Sequence, residues 1–244
     1  RIPRLVHEVA DRISRRIRHR FPKSYLPKTE EGRIQNISTF AELDMDHGSW
    51  LFLSQAQYFL NPVRDHLKSQ GYFFEMQGRQ SLRLKVREAL EAWRTLQRGN
   101  PITYDLAKVL YSYMTGNGVR VARGHKKILG EEDDTFTFEE LRDTNGLLAT
   151  LDMSWNEALD KVPGVDVAYV NALVRRGEDL TAPPRIKLST IHGAKGGEAD
   201  NVVLFTDLTV AAERSMDSDP DSMHRVFYVA VTRTKKNLFT VLPE

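Results

Sequence analysis

The sequence predicts an α/β protein: a mostly parallel sheet with helical crossovers, interrupted by a small all-helical insertion. Three observations carry this. Strand-like and helix-like stretches alternate over residues 1–97 and again over 183–244, the mark of strand–helix–strand units. Residues 98–182 contain helical pieces and no convincing strand. Neither flank alone supplies enough strands for a sheet buried on both faces, so the two flanks must complete one sheet together.

Each element follows in order. Leu5, Val9, Ile13 and Ile17 recur every four residues with Val6 beside them, while Arg12, Arg15, Arg16, Arg18 and Arg20 occupy the other side. That is an amphipathic helix, ending before FPKSYLP. Short strands follow at RIQNIS and WLFLSQ, then a helix at NPVRDHLKSQ that Gly71 stops, and a strand at YFFEMQ. A helix from Leu82 to Gln97 turns Val86, Leu90, Trp93 and Leu96 inward. The insertion opens at RGNPIT. It carries the helical stretches YDLAKVLYSYM, TFEELRDT, SWNEALDKV and DVAYVNALVRR, and it closes at TAPP. Strands IKLSTI and NVVLFTD, a helix from about Asp219 and a last strand NLFTVLP complete the sheet.

The totals narrow the function. The chain has 244 residues, 41% of them hydrophobic, enough for a real core. It contains no cysteine, which excludes disulfides and thiolate metal sites. No apolar run approaches the roughly 18 residues of a membrane span. Net charge is only +2, so a surface for an anionic partner must come from clustering. The seven histidines include His19, His47, His66 and His125, which lack metal-ligand spacing; no metal site is expected. RRIRHR at 15–20 fits either a phosphate contact or the solvated side of its helix. Trp50, Trp93, Trp155, Phe73 and Phe74 fit the core, and EEDD at 131–134 fits a loop tip.

Two stretches carry more chemistry than a connection needs. IKLSTIHGAKGGEADNVVLF places Thr190, His192, Lys195 and Glu198 between two buried strands, among three glycines that permit close backbone approach. In an open parallel sheet the loop after IKLSTI belongs at the carboxyl edge, where ligands bind. HRVFYVAVTRTKKNL places Arg225 and Arg233 eight residues apart, on nearly one face of a helix. Guanidinium groups fork onto phosphate oxygens, which suits phosphoryl-transfer chemistry. The same residues also fit a plain glycine-rich turn and a basic helix end with Lys235 and Lys236.

LSTIHGAKGGEADNVVL resembles motif V, and HRVFYVAVTRTKKNL motif VI, of the UvrD/Rep-type superfamily 1 DNA helicases, whose forms read roughly T-x-H-x-[AS]-K-G-L-E and R-L-x-Y-V-A-x-T-R-A. RIPRLVHEVADRI is similar to the helix after motif IV, and LSQAQYFLNPVRDHL and KVREALEAWRTLQ to segments preceding the family's helical 2B insertion. The resemblance covers nearly everything outside residues 100–182. It implies a RecA-like 2A domain (1–97 and 183–244) interrupted by a shortened 2B-like insertion (98–182).

In that family Arg233 would be the arginine finger and Arg1 the motif IV arginine, both aimed at the γ-phosphate of ATP. Arg225 and Gly197 would flank the nucleotide and Glu198 would hold its ribose. Ser54, Thr190, His192 and Lys195 would face DNA. The sequence departs from the pattern at Gly197 (usually Leu), Ala199 (often aromatic) and Thr234 (usually Ala). None of the 15 glycines precedes a lysine, so the chain has no G-x-x-x-x-G-K-[ST], and it has no Asp-Glu pair. The resemblance therefore implies the C-terminal half of an ATP-dependent 3′-to-5′ helicase or translocase, inactive alone. ATP and Mg²⁺ would be held mainly by the N-terminal RecA-like domain of the same polypeptide. Its partners would be single-stranded or duplex DNA, with no membrane. The setting would be cytoplasmic, in a bacterial or phage-infected cell. The rival reading is a non-catalytic nucleic-acid-binding module that keeps the fold but not the motor.

Overall fold

The structure is a computed structural model that describes residues 1–21, 25–125, 127–194 and 196–242. Contacts divide it into two compact units, residues 1–81 with 176–244 and residues 82–175.

In the first unit α1 (Arg4–Arg15) leads into β1 (Arg33–Ile37) and β2 (Trp50–Ser54). A 3-10 turn (Gln57–Leu60) and α2 (Asn61–Gln70) follow, then β3 (Phe74–Met76) and β4 (Arg79–Gln80). Gly71 ends α2 in the left-handed region (φ 74°), and its amide and that of Tyr72 return to the carbonyls of Lys68 and Leu67.

The second unit holds α3 (Leu84–Gln97), β5 (Ile102–Thr103), α4 (Tyr104–Ser112), β6 (Thr135–Phe136), α5 (Phe138–Asp143), α6 (Trp155–Ala158) and most of α7 (Gly164–Arg176). The sequence places the insertion at 98–182, whereas the second compact unit spans residues 82–175. The buried side of α3, from Val86 to Leu96 with Trp93 at its centre, packs on α4 and α6. The region is not wholly helical either. β5 and β6 form an antiparallel pair, too short for strand alternation to register in sequence. Reciprocal caps start two of the helices, Thr137 with Glu140 on α5 and Ser154 with Glu157 on α6.

Back in the first unit come β7 (Ile186–Thr190), β8 (Ala199–Phe205), α8 (Val210–Ser218), α9 (Pro220–Val231) and β9 (Thr234–Val241). The seven strands form one sheet in the order β1-β9-β8-β2-β7-β3-β4, parallel throughout except for the β3–β4 pair. A mostly parallel sheet with flanking helices is the RecA-like arrangement. As expected, both sides of the insertion contribute to it.

Alternate strand residues serve opposite faces. On one face Leu51, Leu53, Val202, Leu204 and Leu238 pack with Val6 and Ala10 of α1 and Ala230 and Val231 of α9. The buried line of α1 thus runs through Val6 and Ala10, with Leu5, Val9 and Ile13 only half-buried beside it. The other face is aromatic. Trp50 stacks on Phe239 at 5.8 Å, and Phe40 meets Phe52 and Phe205.

Sequence reasoning missed α8, because Ala212 is the helix's sole buried residue and leaves no apolar stripe to read. Thr209 starts it by accepting the Ala212 amide.

Candidate functional site at the two edges of the sheet

Strand register fixes where the singled-out residues lie. Thr190 pairs with Ser54 at the carboxyl end of β7 and β2. Ala199 begins β8 opposite Thr234, below the level at which Trp50 meets Asn201. The loop between Thr190 and Ala199 therefore does not stay at one edge. It crosses β2, which lies between β7 and β8, and descends the height of the sheet with no regular helix among its described residues. Ile191 and Ala194 are buried in the face that also holds α1 and α9, so the crossover covers core where a helix would usually lie. The loop after IKLSTI reaches the carboxyl edge as expected, but Glu198 arrives at the amino edge.

At the amino edge the Ala199 amide donates to the Arg233 carbonyl at 3.1 Å, which brings Glu198 and Arg233 together. Arg233 was expected on α9 with Arg225. Instead α9 ends at Val231 and Arg233 stands in the turn before β9, because Thr232 caps the helix and Thr234 already pairs with Ala199. Its Nε donates back to the Val229 carbonyl at 3.0 Å, so the guanidinium is tethered while half-buried. Lys235 and Lys236 are strand residues, and Lys236 reaches Asp200 at 3.1 Å.

Arg1 belongs to the same edge. A Cβ on Gly32, just before β1, would meet both Pro3 and the Lys236 carbonyl, and the glycine's φ of 73° is one no side chain adopts readily. The side chains of Arg1 and Glu198 are exposed and make no hydrogen bond or ion pair among the described residues.

Arg225 stands two turns back along α9. Its guanidinium donates to the His19 carbonyl at 2.9 Å and lies 3.7 Å from Asp221. Asp221 accepts the Arg18 and His19 amides, each at 2.9 Å, which holds its carboxyl below the ordinary value. RRIRHR thus ends in a docked turn rather than a wholly solvated side. Arg1, Arg225, Tyr228 and Thr232 line one groove between α1 and α9.

At the carboxyl edge, polar atoms gather around Gly193. A Cβ there would stand 2.9 Å from Ser189 Oγ, 3.2 Å from Thr190 Oγ1 and 3.3 Å from Gln77 Oε1. The Gly193 amide donates to Thr190 Oγ1 at 3.1 Å. His192 is exposed beside it. Ser54, expected at DNA, is fully buried with its hydroxyl donated to the Ala56 carbonyl at 2.8 Å. The exposed residues of that turn are Gln57 and Tyr58, which sequence reasoning passed over because they carry no motif. Gly196 takes a positive φ of 86°, whereas Gly197 donates its amide to the Ala194 carbonyl. Lys195 lies outside the described residues. Among the described residues no group of three or more acidic or histidine side chains is placed to hold a metal ion, and no helix is long and apolar enough to cross a membrane.

The mostly parallel seven-stranded sheet with flanking helices defines a RecA-like fold. Residues 165–243 match the family model of the UvrD-like helicase C-terminal domain. The match supports a UvrD/Rep-type helicase C-terminal domain over this part of the chain, as motifs V and VI suggested. No curated protein matches the chain.

Proposed function

We propose that the chain is the C-terminal motor half of an ATP-dependent DNA helicase or translocase moving 3′ to 5′. One observation carries the reading: the bond between Ala199 and Arg233 joins motif V to motif VI at the amino edge. Arg233, tethered at Val229, is the arginine finger that meets the γ-phosphate of ATP on the N-terminal RecA-like domain of the same polypeptide. Arg1 approaches the same phosphate from the start of α1, and Glu198 accepts hydrogen bonds from the ribose beside Gly197. ATP and its Mg²⁺ rest mainly on that other domain, which contributes the phosphate loop this chain lacks. At the carboxyl edge Thr190 and His192 hold single-stranded DNA through phosphate and sugar. Arg225, bonded to His19 and Asp221, fits a support of α1 better than a nucleotide contact.

The test is DNA-stimulated ATP hydrolysis by the polypeptide that carries both halves, comparing wild type with Arg233→Ala. An arginine finger contributes about 10³ to 10⁵ in rate, so the variant should lose at least two orders of magnitude. Normal hydrolysis by the variant would overturn the finger and favour the rival, a nucleic-acid-binding module without motor function.

A further inference from the structure

We infer that Tyr58 is a base-stacking platform for single-stranded nucleic acid; this rests on the DNA-binding reading of the carboxyl edge and adds to it a residue that no motif assigns. The 3-10 turn carrying Tyr58 is anchored on several sides. Leu60 is fully buried beneath it, and the Phe59 amide donates to the Ala56 carbonyl at 3.2 Å. The Ile191 amide donates to the Ser54 carbonyl at 2.9 Å, and Gln55 accepts the Thr209 amide at 2.9 Å. From this rigid base Tyr58 projects with 56% of its surface exposed. Phe59 backs it, the ring centroids 4.3 Å apart at 45°.

The turn packs against β2 and β7, whose last residues Ser54 and Thr190 are partners. Tyr58 therefore stands at the edge that holds Thr190, His192 and the oxygens around Gly193. An exposed ring on a fixed turn next to hydroxyl and amide groups matches a nucleotide unit: the ring takes the base and the polar groups take sugar and phosphate. Every unpaired base offers a π-face, so the contact is independent of sequence. A duplex, with its bases already stacked, offers none.

The experiment is a fluorescence-anisotropy titration of the whole chain with a labelled oligothymidylate at fixed salt, repeated with an abasic strand of equal length. Tyr58→Ala should weaken oligothymidylate binding about 5- to 150-fold, the range measured for loss of one stacked base. Tyr58→Phe should bind nearly as wild type, and wild type and Tyr58→Ala should bind the abasic strand equally. If Tyr58→Ala binds oligothymidylate as wild type does while His192→Ala is weakened, the DNA edge stands and the platform falls. Equal losses in Tyr58→Phe and Tyr58→Ala point to the hydroxyl and also overturn stacking. If wild type binds no single strand, the DNA reading and the platform fall together.

Discussion

The amide of Ala199 and the carbonyl of Arg233 meet at 3.1 Å, while Arg233 Nε reaches the carbonyl of Val229 at 3.0 Å. The guanidinium is thus placed by a backbone bond on one side and a side-chain bond on the other. Lysine keeps the charge but has no Nε–H to donate there. Arg233→Lys in the complete polypeptide should therefore lose ATPase activity nearly as far as Arg233→Ala, to within about tenfold, for a loss of about 10² or more. Steady-state hydrolysis in saturating single-stranded DNA checks this.

Gly32 should tolerate no side chain. A Cβ there would lie 2.4 Å from Pro3 Cβ and 2.8 Å from the Lys236 carbonyl, at a φ of 73°. Crowding and backbone strain together predict a loss of roughly 2–4 kcal/mol for Gly32→Ala, read from the midpoint of urea unfolding.

Asp221 predicts a pH dependence. The His19 and Arg18 amides hold its carboxyl below the ordinary 3.8. A carboxyl group lowered by folding stabilises the native state above its unfolded value, and that contribution disappears as the pH falls through the native value. Asp221→Asn should therefore unfold at lower urea than wild type at pH 7. The gap should close as the pH drops below 3.8. A gap unchanged down to the acid limit would show that Asp221 contributes through packing alone.

In the second unit the two largest expectations differ in kind. Trp93 is fully buried, so Trp93→Ala removes a large side chain from a packed centre and should cost about 3–5 kcal/mol. The Tyr111 hydroxyl donates to the carbonyls of Asn145 at 3.2 Å and Leu141 at 3.4 Å, and burial pushes its phenol pKa up. Tyr111→Phe removes only that hydroxyl and should cost about 0.5–1.5 kcal/mol. Melts followed by near-ultraviolet circular dichroism distinguish the two.

Much of the sheet was legible because buried parallel strands are continuous apolar runs, as in WLFLS and NVVLF. The stop of α2 was legible because Gly71 adopts a conformation that glycine alone takes readily. What escaped the sequence depended on partners distant in the chain. Periodicity extended the last helix through Arg233, but pairing of Thr234 with Ala199 ends it at Val231. Ser54 was chosen for its hydroxyl, yet its place at the end of a fully buried strand turns that hydroxyl inward to Ala56. The opposite edges reached by Thr190 and Glu198 were invisible for the same reason. They are separated because β7 and β8 both run parallel to β2, so the connection must pass from the carboxyl end of one strand to the amino end of the other.

That separation sets a length condition. Thr190 and Ala199 leave eight residues between them. Strand rise and spacing put the two ends roughly 22 Å apart, and nine virtual bonds reach at most roughly 30 Å when fully extended. Two turns, the Ala194 amide on the Thr190 carbonyl at 3.0 Å and the Gly197 amide on the Ala194 carbonyl at 2.9 Å, take up much of that reach. A connection this short links the margin that carries Thr190 to the margin where the Ala199 amide holds the Arg233 carbonyl, so a change in its length would act on both margins of the sheet.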